Sequence, residues 1–200
     1  MAKKSVAVIG LGQFGQSVCE ELVNMGGDVI AIDNNKIEVA KVAQYLPTAF
    51  IADSTNEEAL KELGVGDVDC AIVAFGENQE ASILTTVILK ELGVKRIIVR
   101  VEDDYYENIM LRLGATETIA PQKMAGSSLA NRIFNIAYSD FYKLDDKYSI
   151  VSIEIDPKFS GKTLIEINSN FKFGVSVVLF FCGLTSTLAS LTFISEGLFT

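Results

Sequence analysis

The chain has 200 residues, 26 acidic, 17 basic and none histidine, for a net charge of −9 at pH 7. That balance repels phosphodiester backbones and argues against a nucleic-acid partner, and the lack of histidine excludes imidazole acid/base work, Ser-His-Asp triads and histidine-ligated metals. Hydrophobic residues make up 49%, ample for a core, and the three cysteines, Cys19, Cys70 and Cys182, stand too far apart for a CxxC pair, so a reduced, cytoplasmic protein is expected.

Met1 to Lys4 lead directly into Ser5-Val6-Ala7-Val8-Ile9, so no secretory leader is expected. The apolar run reads as a strand buried on both faces of a parallel sheet, and it feeds Gly10, Gly12 and Gly15 at GxGxxG spacing. In such a turn the first glycine permits the sharp bend, the second lets backbone approach a pyrophosphate, and the third lets the next helix pack closely. Phe14, Val18, Leu22 and Met25 recur at helical spacing, so a helix begins here with its positive end toward an anion. A second apolar run, Asp28 to Asp33, ends in an acid, roughly 20 residues past the motif, where a ribose-binding carboxylate belongs. Strand, turn, helix, strand and acid together point to a bound adenine nucleotide.

Lys36 to Tyr45 reads as a helix stopped by Pro47, and Ala49 to Ala52 as a third strand. Ser54 or Thr55 is expected to cap a helix carrying Ala59, Leu60 and Leu63. The same polar tripeptide, Asp53-Ser54-Thr55, stands at a strand's carboxyl end, facing a nucleotide crevice. Asp69 to Gly76 is a fourth strand and its exit, followed by a helix whose apolar positions are Ile83, Leu84, Val87, Ile88 and Leu92. Arg96 to Val101 is a fifth strand, Tyr105 to Leu113 a helix, and Glu117 to Ala120 a short sixth strand before Pro121. This alternation requires a parallel sheet with right-handed crossovers, an α/β doubly wound fold.

Beyond Pro121, one helix is expected from Lys123 to Phe141, with an apolar stripe of Met124, Leu129, Ile133, Ile136, Ala137 and Tyr138 suited to core or to a dimer contact. Asp145-Asp146-Lys147 reads as a linker and Ile150 to Ile155 as a half-exposed strand opening a second, smaller unit.

Ala7 to Gly15, Asp53-Ser54-Thr55-Asn56, Ala74-Phe75-Gly76-Glu77-Asn78, Ala81 to Thr86, and Gly114-Ala115 with Pro121 closely resemble the KtrA/TrkA-type cytosolic regulators of bacterial potassium uptake, which are built on RCK domains. The resemblance implies a Rossmann-like nucleotide-binding domain over residues 1–120, a linking helix over 121–145 and a small α+β C-terminal lobe over 146–200. It implies a non-catalytic gating subunit, a homo-oligomer (a dimer assembling into an octameric ring) beneath a membrane-embedded potassium transporter, and adenine nucleotide, ATP/ADP or NAD(H), as ligand. Carried onto this chain, the nucleotide-binding set is Gly10, Leu11, Gly12, Gln13, Phe14, Gly15, Asp33, Asn34, Asp53, Ser54, Phe75, Gly76 and Arg100, with no catalytic or metal residue. Asp33 takes the ribose and Arg100 the phosphates.

Members of that family usually carry Arg at the position of Gln13 and Glu at that of Gln122, and both charges are missing here. After about Val178 the family's charged lobe is replaced by an uncharged run. Gly174 to Ser195 is long enough to span a bilayer, but its many Ser and Thr residues favour altered or truncated lobe strands, with a membrane contact or disorder as alternatives. Two rivals share the first half: an NAD-dependent oxidoreductase, for which the short stretch after the sheet, with no histidine, makes a poor substrate domain, and a nucleotide-sensing transcription regulator, which lacks a basic helix.

Overall fold

A computed structural model describes residues 4–134, 138–143, 148–154, 175–182 and 189–196. The chain's contacts divide it into two compact units, Met1–Lys123 and Met124–Thr200.

In the first unit β1 (Ser5–Ile9) is the central strand, paired in parallel with β2 (Asp28–Asp33) on one side and β4 (Cys70–Val73) on the other. With β3 (Ala49–Ile51), β5 (Ile97–Arg100) and β6 (Glu117–Ile119), the order is β3-β2-β1-β4-β5-β6. That is the doubly wound order in which the chain reverses direction across the sheet at β1/β4. Helices cover both faces, so Val6, Ala7, Val8 and Ile9 are all buried despite alternating sides. On one face Ala7, Ile9, Ile32 and Val73 pack with Leu60 of α3 (Glu57–Glu62), Leu89 of α4 (Gln79–Glu91) and Met110 of α5 (Asp104–Leu113). On the other Val6, Val8, Val29 and Ala31 pack with Cys19 of α1 (Gln13–Asn24) and with Val39 and Val42 of α2 (Lys36–Val42). Each fully buried aliphatic side chain contributes about 1.5–3 kcal/mol relative to exposure.

The sequence reading differs from the structure at four places. Met25 is 81% exposed because α1 ends at Asn24 and Met25 is its C-cap; the inward face is Gly15 and Cys19, with Val18 and Leu22 against the core. On α4 the expected Ile83, Ile88 and Leu92 do pack against the core, but the buried residues are Ser82, Thr85, Thr86 and Leu89, and Leu84 is exposed. The α3 cap is Asn56, whose side chain accepts from the Glu58 and Ala59 N–H groups, because Ser54 and Thr55 are committed elsewhere: Ser54 Oγ to Thr85 and Thr55 Oγ1 to Asp53. Finally, α6 runs Pro121–Phe134, with proline at its tolerated first position, and Tyr138–Lys143 is strand β7 rather than more helix. Three aromatics in six residues fit a pleated surface better than a helix, and β7 finds antiparallel pairing. Met124, Leu129 and Ile133 on α6 are exposed; Ile136 and Ala137 lie outside the described residues.

The second unit is an antiparallel sheet of β7, β8 (Tyr148–Glu154), β9 (Val175–Cys182) and β10 (Ala189–Glu196), ordered β7-β8-β10-β9. The uncharged tail thus supplies two strands, as its Val, Phe, Ile and Thr content favours. Among the described residues no helix is long and apolar enough to cross a membrane.

Replacing the α3 cap, Asn56→Ala, should cost about 1 kcal/mol. A urea melt with an unshifted midpoint would return the capping role to Ser54 or Thr55.

Candidate functional site

The glycine turn is clamped between both neighbours of β1. Gly10 N donates to Ile32 O at 2.8 Å and Ala74 N to Ile9 O at 2.7 Å, so the pairing of β1 continues into the turn. Gly10 has φ +94, a conformation that L side chains rarely adopt, and a Cβ there would meet the Phe75 ring at 3.0 Å. A Cβ on Gly15 would overlap the Gly10 carbonyl oxygen. Gly12 is different: its φ is −64 and a Cβ would meet nothing within 4 Å. The fold needs hydrogen at residues 10 and 15, whereas at residue 12 it merely leaves room.

That room opens on the start of α1. Side chains cap the other helices of the sheet unit: Asn35 for α2, Asn56 for α3, Asn78 for α4 and Asp103 for α5. Each also carries an acid in its first turn. The N-cap of α1 is Gly12, which has no side-chain bond to offer, and its first turn holds no acid. The intrahelical ladder starts only with Gln16 N to Gly12 O at 2.9 Å, which leaves first-turn N–H groups and the positive dipole end uncompensated. Gln13 is exposed and Phe14 half-buried.

Asp33, at the end of β2, holds the turn from the side. Its Oδ2 accepts the Leu11 N–H at 2.6 Å and its Oδ1 the Asn35 N–H at 2.8 Å. Leu11 itself is a buried core residue that serves the site through its backbone. Gln16 Nε2 donates to Leu11 O and to Glu38 Oε2, both at 2.6 Å, tying the same loop to α2. Beside Asp33 is a cavity of about 170 Å³, lined by Ile9, Ile32, Asn34, Ala52, Asp53, Ser54, Phe75, Asn78 and Ala81 as well as Asp33. It collects the carboxyl ends of β1, β2, β3 and β4. Asp53 Oδ1 accepts the Thr55 hydroxyl at 2.7 Å and the Thr55 N–H at 2.9 Å, bonds that hold its carboxyl below the usual carboxylate range.

Arg100 ends β5, two strand spacings from β1, roughly 10 Å. Ile98 packs on the α1 side of the sheet, and strand alternation places Arg100 on that side too. Its Nη1 would lie 3.0 Å from a Cβ on Gly76, so the guanidinium lies against the glycine. Its Nε is buried with no partner among the described residues, and Nη2 lies 3.7 Å from Glu102 Oε1, a loose pair. A buried guanidinium N–H with no acceptor is costly.

Of the thirteen residues expected from sequence, Asp33, Asn34, Asp53, Ser54 and Phe75 line the cavity. Gly10 packs against Phe75 and Gly15 against Gly10. Gly12 and Gln13 form the open end of α1, Gly76 and Arg100 stand together, and Leu11 and Phe14 do not line the cavity. Asn78 and Ala81 were missed: Asn78 caps α4 through the Ala81 N–H at 3.0 Å, a signal visible in sequence as Asn before an apolar-periodic run. Cys19 is buried, which pushes its thiol up to about 12, so it offers no thiolate.

Residues 6–121 match the TrkA-N domain family. The chain is 40% identical over 176 residues to Ktr system potassium uptake protein C of Bacillus subtilis (strain 168), covering 88% of this chain and 80% of that one. It is 38% identical over 175 residues to Ktr system potassium uptake protein A of the same organism, covering 88% and 79%. Among solved structures, a GsuK channel bound to NAD superposes with a TM-score of 0.66 at 13% identity, covering 98% of this chain and 38% of the channel chain.

Gly12 and Gly15 should separate by experiment. Gly12→Ala should fold with a loss below about 1 kcal/mol, the scale of a poorer N-cap, whereas Gly15→Ala should lose about 3 kcal/mol or more through the backbone overlap. Equal thermal stability of the two variants would overturn the division.

Proposed function

This chain belongs to the TrkA-N family, and on that premise we propose that it is a nucleotide-binding regulatory subunit of a potassium uptake system. The observation that carries the nucleotide half is the uncapped start of α1, set at the sheet's switch point beside the Asp33 cavity. The likeness to two potassium uptake proteins over four-fifths of their length supports the transport half.

The site divides its ligand. A cavity of about 170 Å³ is smaller than the roughly 300–1,000 Å³ of pockets that enclose a whole small molecule, so it takes the adenosine end. Asp33 accepts the ribose hydroxyls, with Asp53, Ser54, Asn34 and Phe75 around the base. The phosphates lie along Gly12, Gln13 and the α1 amides, with Arg100 approaching across Gly76. ATP/ADP and NAD(H) both have this shape, and the NAD-bound channel neighbour keeps the dinucleotide in view. The sequence has no histidine to serve as an imidazole acid or base, which supports a ligand that is bound and not turned over.

Occupancy shifts a regulator only if two arrangements bind the ligand unequally. The nucleotide domain spans residues 1–120, α6 (Pro121–Phe134) is the linking helix in place of one running to 145, and the C-terminal lobe takes in β7 to β10. Exposed Met124, Leu129 and Ile133 on α6 support a homo-oligomer, and the likeness to the potassium uptake proteins supports its place beneath a membrane-embedded transporter; the full proposal is a dimer building an octameric ring at the inner face of the plasma membrane.

Calorimetry with ATP, ADP, NAD and NADH should give micromolar binding for at least one of them, and no NADH consumption with simple keto acids or aldehydes. Binding of none, or sustained turnover, would overturn the reading. Asp33→Ala should weaken the bound ligand at least tenfold, since a hydrogen bond to a charged group is worth about 1.5–3 kcal/mol.

A second expectation turns on Gln13. A charge about 4 Å from a terminal phosphate at an effective dielectric near 20 interacts by about 4 kcal/mol before desolvation. Gln13→Arg should therefore tighten ATP more than ADP or NADH; an unchanged ATP/ADP ratio of dissociation constants would place Gln13 away from the terminal phosphate.

A further inference from the structure

The inward face of α4 is polar where burial usually selects carbon. Ser82 is 2% exposed and Thr85 and Thr86 are 0%, so three hydroxyls have lost their hydration, a cost unless each is bonded. Thr86 Oγ1 donates within the helix to Ser82 O at 2.7 Å, the back-bond open to any helical threonine. Ser82 Oγ has no partner among the described residues. Thr85 differs from both because it reaches out of the helix. Its Oγ1 meets Ser54 Oγ at 2.7 Å and Ser54 O at 3.3 Å, across 31 positions of sequence.

Ser54 is itself buried and lines the cavity between Asp53 and the sheet. The Asp53-Ser54-Thr55 loop has an internal turn, Asp53 Oδ1 to Thr55, which sets its shape but not its place. The facing wall, Asn78 and Ala81, belongs to α4, and Tyr106 Oη braces the start of that helix through Gln79 O at 3.1 Å. Thr85, one turn along from Ala81, thus refers both walls of the cavity to a single helix. Valine would fill the same volume at residue 85 without burying a hydroxyl, so the hydroxyl is there for the bond.

We propose that Thr85 is a positioning residue of the nucleotide site, acting through Ser54 to set the distance between the Asp53 loop and the Asn78–Ala81 wall that together grip the base. The proposal rests on the nucleotide reading above. It involves no contact between Thr85 and the ligand, and the geometry it sets is that of the adenosine end shared by ADP and NAD.

The test is titration calorimetry of ADP and NAD against the full chain and four variants, Thr85→Val, Thr85→Ser, Ser54→Ala and the double variant, each also melted thermally. Thr85→Val should weaken whichever of the two ligands the parent binds by about five- to tenfold, the scale of one lost hydrogen bond, and Thr85→Ser should stay within about twofold. Thr85→Val leaves Ser54 Oγ buried and unpaired, so its melting temperature should fall. The double variant removes both hydroxyls and should regain much of that stability, and it should bind no more weakly than Ser54→Ala alone, because Thr85 acts only through Ser54; the affinity loss in Thr85→Val, at a residue that touches no ligand, is what a purely structural role would not produce. Parent-like affinity in folded Thr85→Val, or in the double variant should the single one not fold, overturns the proposal and leaves the nucleotide reading standing. A parent that binds neither ADP nor NAD overturns that reading, and this proposal with it.

Discussion

The contact between Gly15 and the Gly10 carbonyl oxygen is the constraint on which the sheet unit turns. With no side chain between them, the first turn of α1 lies directly on the end of β1. The same turn is tied to β2 through Gly10 N and to β4 through Ala74 N, so the helix start cannot swing away without disturbing three strands. Rigid placement of a helix end on a buried sheet gives an anion site geometric definition that a surface loop lacks.

The chain is acidic overall, at −9, yet the start of α1 keeps the free donors and positive end that an anion would use. Net charge and local field are separate quantities here. Acids in the first turns of α2, α3, α4 and α5 offset the positive ends of those helices, and side-chain caps occupy their free amides. Only α1, among these five, keeps both its field and its donors. The site is therefore defined by what the other helix ends have been given, and the surrounding negative charge disfavours long polyanions while a compact phosphate group can still seat.

Much of this was legible in the sequence because it is local. The run Val6 to Gly15 and the acid at Asp33 are short-range patterns, and strand β1, helix α1 and the turn follow from them. What escaped depended on distant partners. Three polar residues in a row compete to cap α3, and only the structure reveals that Ser54 is bonded to a helix 31 residues later. The α4 stripe held at Ile83, Ile88 and Leu92 and failed at Leu84 for the same reason: counting carbon puts Leu84 inside, whereas the packed interior accepts Thr85, whose hydroxyl has a partner. The end of α6 had no glycine or proline to mark it, so the helical period was carried into residues that pair as β7. Arg100 was visible only through family likeness; its burial beside Gly76 depends on β4 and β5 lying side by side.

An uncapped α1 also bears on how long the protein lasts. Without an anion its first-turn amides must turn to water, and the helix lacks the roughly few tenths of a kcal/mol by which a capping side chain outdoes glycine. Any ligand that binds the folded form alone adds to unfolding free energy by mass action, about 2.7 kcal/mol at a hundredfold excess over its dissociation constant. Degradation that follows the transiently opened population slows in proportion. A cell rich in the ligand would accordingly hold more of this protein at the same rate of synthesis, so the abundance of the regulator and its occupancy would rise and fall together.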